Sequence, residues 1–262
     1  MATIVSFQAH PDDESITVGA TLAKAAAAGH RVVLVFATRG ELGEPVPGVL
    51  APGEQLPVRR SAECFSSASA LGAKRVEFLG WTDSGMMGEA SNAEPYCFWQ
   101  ADVEHAARRL AVILEEEAPD VLTVYDDNGG YGHPDHIQVH RVGLRAAQLA
   151  GVPVVAQSTF PREALVARIA ELASEGGEPP DIDTATFGKP EAEITHRVLA
   201  AEHAAAKRAS MLAHRSQMGD DHFMLKLPDE AFAAMMGTEY YIVDPLRAPV
   251  PELFTELFTP AR

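Results

Sequence analysis

The segment Ala9-His10-Pro11-Asp12-Asp13-Glu14 puts one imidazole and three carboxylates into five consecutive residues. Adjacent acids in one buried turn cost free energy unless something cationic neutralises them. They would repel a phosphate and attract a metal ion. Helix capping is the competing explanation, because Asp at an N-cap and acids in a first turn stabilise a helix. Capping accounts for one Asp more readily than for the whole group. A second segment, Asp126-Asp127-Asn128-Gly129-Gly130-Tyr131-Gly132-His133-Pro134-Asp135-His136, repeats the order His-Pro-Asp behind a glycine-rich turn. Its glycines let the backbone turn tightly. Three neutral or anionic ligands with one open position form the pattern of a catalytic zinc site. Such an ion lowers the pKa of bound water to about 7 and polarises a carbonyl. A carboxylate beside the water can take its proton, and that base should not itself be tied up on the metal. His133 and His136 are three residues apart at a helix start, so they point in similar directions without having to share one ion.

For the two segments to act together, the fold must bring them to one edge. Thr3 to Gln8 reads as a buried strand, about Glu14 to Ala28 as a helix stopped by Gly29, and Arg31 to Thr38 as a second strand. Strand, helix, strand at this spacing is a βαβ unit, so the sheet starts parallel. The pattern continues with a helix from Val58 to Leu71, a strand from Arg75 to Leu79, a helix from Asp102 to Glu117 and a strand from Val121 to Tyr125. A helix begins at Pro134 and runs to about Ala150, then a strand from Val152 to Gln157. Helices are expected at about Arg162–Ser174 and Ala192–Ala213, with a last strand at Glu239–Val243. The expected fold class is α/β, a Rossmann-like, mostly parallel sheet flanked by helices, with the active site at the C-terminal ends of the strands. Both His/Asp segments then follow strand ends. Long loops are expected at Glu41–Leu56, Trp81–Gln100 and Gly176–Pro190, where loops of this length are commonly functional or mobile. No internal repeat or linker divides the chain, so residues 1–262 read as a single domain with a Pro-rich arm from about 245 to 262.

Composition removes several function classes. The net charge is −16 and there is no basic run, which argues against nucleic acid or an anionic membrane as partner. No apolar run approaches the roughly 20 residues needed to span a bilayer. The N-terminus lacks a basic region before an apolar stretch, as a signal peptide would have. Cys64 and Cys97 fit neither a zinc knuckle nor a disulfide framework, and neither has a neighbouring His or a helix start to activate it. Free thiols and a cytoplasmic location are the expectation. A nucleotide-binding oxidoreductase would carry Gly-x-Gly-x-x-Gly after the first strand, where this chain carries acids.

The two segments together resemble the PIG-L/LmbE family of metal-dependent N-deacetylases. Ala9 to Glu14 matches its signature without change, and Asn128 to His136 is similar to the second motif of its mycothiol-pathway branch. The resemblance spans most of the chain, to about Asp244. It implies that His10, Asp13 and His136 bind the metal and that Asp12 is the general base and later the acid. It implies that His133 is the cation stabilising the oxyanion, that Asp135 orients His133, and that Tyr131 touches the substrate or the oxyanion. Glu14 would be a supporting residue or a first-turn acid. The stretch Asp83-Ser84-Gly85-Met86 resembles a substrate-contacting segment of the same branch, giving Asp83 and Met86 as substrate contacts, with a surface loop turn as the alternative. Arg60 is chosen over Arg59 as the substrate-binding Arg, against an exposed helix face. His214, in His214-Arg215-Ser216-Gln217, is a further candidate substrate contact. Thr38 to Glu41 is expected to line the mouth, and His140 to be a packing residue. The implied cofactor is Zn2+, with Fe2+ suited to the same His/His/carboxylate donors. The implied substrate is a small-molecule N-acyl amine, an amino sugar losing an acetyl group. The alternative is a cysteinyl-glucosamine conjugate cleaved by an amidase. The family also suggests a homo-oligomer.

Overall fold

The computed structural model describes residues 1–174, 184–219, 221–245 and 250–261. Among them the strands are β1 (Thr3–Gln8), β2 (Arg31–Phe36), β3 (Arg75–Phe78), β4 (Val121–Tyr125), β5 (Val154–Thr159), β6 (His196–Leu199), β7 (Thr238–Pro245) and β8 (Thr259–Pro260). The helices are α1 (Asp13–Thr17), α2 (Gly19–Ala27), α3 (Leu56–Leu71), α4 (Val103–Glu117), α5 (Pro134–Ala150), α6 (Arg162–Ser174), α7 (Ala204–Ala213), α8 (Asp229–Met236) and α9 (Glu252–Leu257). They surround one sheet of order β3-β2-β1-β4-β5-β7-β6-β8. The first five strands are parallel, and β7, β6 and β8 are added antiparallel. Among the described residues, no helix is long and apolar enough to cross a membrane.

The strand sequences explain the layering. Successive side chains alternate between faces. Val5, Phe7, Val33, Val35, Leu122 and Val124 pack against Leu110, Leu114, Val139 and Val142 of α4 and α5. On the other face, Ile4, Leu34, Phe36, Val121 and Val154 pack against Leu22, Ala68 and Leu71 of α2 and α3. Burial on both faces is why these strands read as continuous apolar runs. The chain leaves β1 for β2 on one side, and β4 pairs with β1 on the other. Strand order therefore reverses between β1 and β4, and it is at the C-terminal ends of strands around such a reversal that parallel α/β folds bind ligands.

Several expectations change. The helix expected over 14–28 is broken at Val18, whose φ is −136°. The cause is tertiary. Both carboxylate oxygens of Glu239, on β7, accept from the backbone N–H groups of Ala20 and Thr21 at 2.9 and 2.8 Å. They satisfy the start of α2, which has no side-chain cap of its own. Buried Lys207 neutralises the same carboxylate at 2.6 Å. Lys207→Ala is expected to cost about 3–5 kcal/mol, because it leaves Glu239 buried and unpaired. Urea unfolding measures this, and a loss below about 1 kcal/mol, the scale of an exposed pair, would contradict it.

The helix expected over 192–213 begins only at Ala204. His196–Leu199 instead joins the sheet between β7 and β8, with Val198 and Ala200 buried, and a 3-10 turn at Ala201–His203 follows. The fifth strand lies two residues later than expected, and the second ends at Phe36. The tail is not only a surface arm. Leu253, Leu257 and Phe258 are buried, and β8 pairs with β6. The loops at 41–56 and 81–100 are irregular, apart from 3-10 turns at Ala90–Ala93 and Phe98–Gln100. Of the loop expected at Gly176–Pro190, residues 176–183 lie outside the described residues.

Candidate metal and catalytic site

The turn between β4 and α5 is built to present His136. The carboxylate of Asp126 accepts from the N–H groups of Asn128 and Gly130 at 3.0 and 2.9 Å. Gly129 has φ 63°, and a Cβ there would lie 2.5 Å from that of His136, so only glycine fits. Its carbonyl is 3.1 Å from His136 Nδ1, and the Tyr125 ring stacks on the imidazole at 4.2 Å and 9°. With Nδ1–H donating to that carbonyl, the lone pair is on Nε2. This atom is buried, has no hydrogen-bond partner, and lies 3.4 Å from Asp13 Oδ2.

His10 approaches the same oxygen from the other strand, with Nδ1 at 3.3 Å. Its Nε2 lies 3.2 Å from Asp135 Oδ2. A metal-binding histidine commonly donates its second ring N–H to a carboxylate or a backbone carbonyl. Here His10 has Asp135 and His136 has Gly129. His10 Nδ1, Asp13 Oδ2 and His136 Nε2 therefore converge as three donors that could hold a divalent cation. The unpartnered buried Nε2 is the observation that a metal would explain. Without a metal, protonated histidines are the counter-charges of these carboxylates, a role that a bound cation would take over. Burial works to raise the Asp13 carboxyl, but His136 and His10 outweigh it and hold the group well below the usual range. Burial works to lower His10, but Asp83, Asp13 and Asp135 outweigh it and hold the imidazole well above its usual value.

A second grouping, His10, Asp83 and His133, shares the imidazole but draws on Nε2, with Asp83 Oδ1 at 3.5 Å. That nitrogen is the one Asp135 engages, so the Asp13–His136 side is the better cradle. Asp135→Asn is expected to weaken metal binding roughly 10- to 100-fold, as loss of such a supporting carboxylate does. A competition titration against a chelating dye measures it, and unchanged affinity would remove Asp135 from this role.

Asp12 is held beside the cradle in an unusual backbone, with φ 109°. A non-glycine residue there is strained and must be held by its surroundings. Its N–H donates to Glu14 Oε2 at 2.9 Å, and its Oδ1 lies 3.2 Å from Arg60 Nη2. Burial pushes its carboxyl up to about 6, even though Arg60 works in the opposite direction. Such a carboxylate can exchange protons near neutral pH.

Other expected site residues change role. The Asp135 carboxylate does not reach His133; it accepts from the N–H and hydroxyl of Ser84 and faces His10. What orients His133 is the backbone N–H of Asp135, which donates to its Nδ1 at 3.1 Å, with His133 acting as the N-cap of α5. The ring hydrogen is then on Nε2. Burial, with His10 and His136 nearby, pushes His133 down to about 3, so it is a neutral donor here rather than a cation. Arg60 is 3 % exposed, and its guanidinium is used on the carbonyls of Pro11 and Gly40 and on Asp12, so it does not present a substrate-facing surface. His214 is fully buried 2.6 Å from Glu14 and cannot touch substrate.

Asp83 is buried and accepts from Gly85 N and Leu42 N at 2.9 and 3.2 Å, while the carboxylate of Glu41 accepts from Asp83 N. The Thr38–Glu41 stretch thus supports the site from behind Asp83. Met86 and Tyr131 are exposed, and the Tyr131 ring lies 5.1 Å from that of His136. His140 Nδ1 is 3.0 Å from the Tyr125 carbonyl, away from the donors. Both cysteines are buried and free. The sequence reading missed Ser84 as the anchor of Asp135. It also missed Tyr125, whose hydroxyl accepts from Ala9 N at 3.1 Å and bonds the Asp13 carboxylate.

The family model described as GlcNAc-PI de-N-acetylase (PIG-L) matches residues 5–147, which include both segments. A 1D-myo-inositol 2-acetamido-2-deoxy-alpha-D-glucopyranoside deacetylase from Thermomonospora curvata is 40% identical over 94% of this chain and 92% of its own. One of the same name from Nocardiopsis dassonvillei is 40% identical over 94% of each. Among solved structures, N,N'-diacetylchitobiose deacetylase from Pyrococcus horikoshii superposes with a TM-score of 0.62 at 18% identity, over 93% of this chain and 84% of that one, and shares the fold.

Proposed function

The chain belongs to the GlcNAc-PI de-N-acetylase (PIG-L) family, and from that premise we propose that it hydrolyses the acetamide of an N-acetylated amino sugar with a catalytic zinc ion held by His10, Asp13 and His136. It is an amide-hydrolysing enzyme acting on a small molecule. Its substrate is an N-acetylglucosamine linked to a polyol, the compound named for relatives 40% identical over more than nine-tenths of both chains. The observation that carries this is the convergence of His10 Nδ1, Asp13 Oδ2 and the unpartnered His136 Nε2 beside Asp12. Ferrous iron suits the same donors.

When bound, the ion supplies Lewis acidity, polarising the amide carbonyl and acidifying water. The remaining chemistry belongs to side chains. Asp12, ionised at neutral pH, takes the proton of the attacking water at its carboxylate. It returns a proton to the departing amine nitrogen as the C–N bond breaks, giving acetate and a free amine. His133 donates from Nε2 to the carbonyl oxygen as negative charge develops there. Its neutral state suits a donor that must stay protonated on that atom. Asp135 and the Gly129 carbonyl fix the rings of His10 and His136. Tyr131 and Met86, at the exposed rim, meet the sugar, and Asp83 sets the floor below them.

The test is incubation of zinc-loaded protein with 1D-myo-inositol 2-acetamido-2-deoxy-alpha-D-glucopyranoside and with free N-acetylglucosamine, measuring acetate and primary amine together. Equal amounts of both products are expected from the first compound. Absence of acetate from both compounds would overturn the assignment.

A further inference from the structure

We infer that His214 is a positioning residue for Asp12, acting through Glu14, and this rests on Asp12 being the base. The strained φ of 109° at Asp12 needs an anchor, and the only side chain that bonds its N–H among the described residues is Glu14, through Oε2 at 2.9 Å. The other oxygen of that carboxylate is held by two donors. His214 Nε2 lies 2.6 Å from Oε1, and the Ser67 hydroxyl donates to the same atom. Ser67 is itself 2.6 Å from the hydroxyl of Ser210. Glu14, Ser67, Ser210 and His214 are all fully buried, so no solvent can replace a lost partner.

The backbone of His214 is fixed in its turn, while its ring bonds through Nε2 alone. It ends α7, and Met218 N donates to its carbonyl at 2.8 Å. Ser216, two residues on, donates from N–H and hydroxyl to the buried Glu63 carboxylate of α3, at 2.9 and 2.6 Å. The path from the end of α7 to Asp12 is therefore a continuous pair of hydrogen bonds through the Glu14 carboxylate. It ends on the backbone of the residue whose carboxylate must meet a water molecule. Arg60 restrains the Asp12 side chain from the opposite direction. With His214 gone, the Glu14 carboxylate can turn towards Ser67 and release the Asp12 N–H. A displacement of about 1 Å at a reacting group can cost roughly 100-fold in rate.

The experiment compares His214→Leu, which fills the space without a donor, with His214→Gln, whose amide N–H can reach Glu14. For His214→Leu, kcat is expected to fall roughly 100-fold, with KM and metal content unchanged. His214→Gln should recover most of it. In an Asp12→Asn background, His214→Leu should change kcat by less than about 3-fold, because residues acting as a unit are not additive. A folded, metal-loaded His214→Leu with wild-type kcat would overturn the inference, as would a full further loss in the Asp12→Asn background. A rise in KM at unchanged kcat would overturn it too, by making His214 a substrate contact. If His214→Leu does not fold, Ser67→Ala removes the second donor to the same oxygen. It should lower kcat by roughly 5- to 10-fold at constant KM, since a 1.4 kcal/mol change is about tenfold, and unchanged kcat there overturns the inference. Failure of the base assignment itself is distinct: Asp12→Asn would then keep its activity.

Discussion

Asp12→Asn should lower kcat by roughly 100- to 10,000-fold while leaving the metal bound, the range expected when a general base is lost. The substitution keeps size and shape, and Asp12 lies beside the donor set rather than in it, so metal content measured on the same sample should match wild type. The pH dependence follows from the sign of the shift. Asp12 works as a base only when ionised, and burial has pushed its carboxyl up to about 6. The rate should therefore rise with pH and level off once the proton is lost. A bound cation favours the ionised form, so the midpoint in kcat/KM should fall at or below about 6. Arg60 pulls the same carboxyl down. Arg60→Gln should then move the acid limb to higher pH, and a limb moving to lower pH would show that another group governs it.

His136→Ala should abolish both metal binding and turnover. A metal ion contributes several kcal/mol of transition-state stabilisation, which at about 1.4 kcal/mol per tenfold is a loss of roughly 1000-fold or more. Chelation of the wild-type protein should produce the same loss, reversed by adding zinc; the variant should not recover. Metal removal should also lower the melting temperature of wild type. A ligand at 100 times its Kd stabilises the folded state by about 2.7 kcal/mol, and without it Asp13 faces His10, His136 and Tyr125 with no metal ion between them. His136→Ala should melt at one temperature with or without zinc. A variant that still binds one ion with wild-type affinity would move the site to the Asp83–His133 side.

The donors were legible because their information is local. His10, Asp12 and Asp13 are consecutive with a strand end, and His133 to His136 open a helix behind a glycine turn, so type and spacing carry the chemistry. The parallel half of the sheet was legible because its strands are buried on both faces and read as apolar runs. What was missed depends on residues far apart in the chain. Nothing near Val18 says that the first helix must break, because the group that caps its second half is Glu239 on β7. His196 to Leu199 sits beside an alanine-rich helix and reads as part of it; it is a strand because β7 and β8 offer edges to pair with. Leu253, Leu257 and Phe258 are too few and too close to prolines to look like core until the fold supplies a surface for them. The same holds in the site. Arg60 and His214 were singled out, yet their burial and their partners, Asp12 and Glu14, come from packing of α7 against both α3 and α1. Sequence could find these residues but not the direction in which they point.

Deacetylation by this chain is proposed to depend on an ion held by His10, Asp13 and His136. This dependence is tested most directly by titrating metal-free protein with zinc while acetate release from the inositol-linked N-acetylglucosamine is followed in the same samples. No acetate is expected without metal, then a linear rise to one ion per chain, and no rise in His136→Ala. Full acetate release from protein confirmed to be free of metal would contradict it.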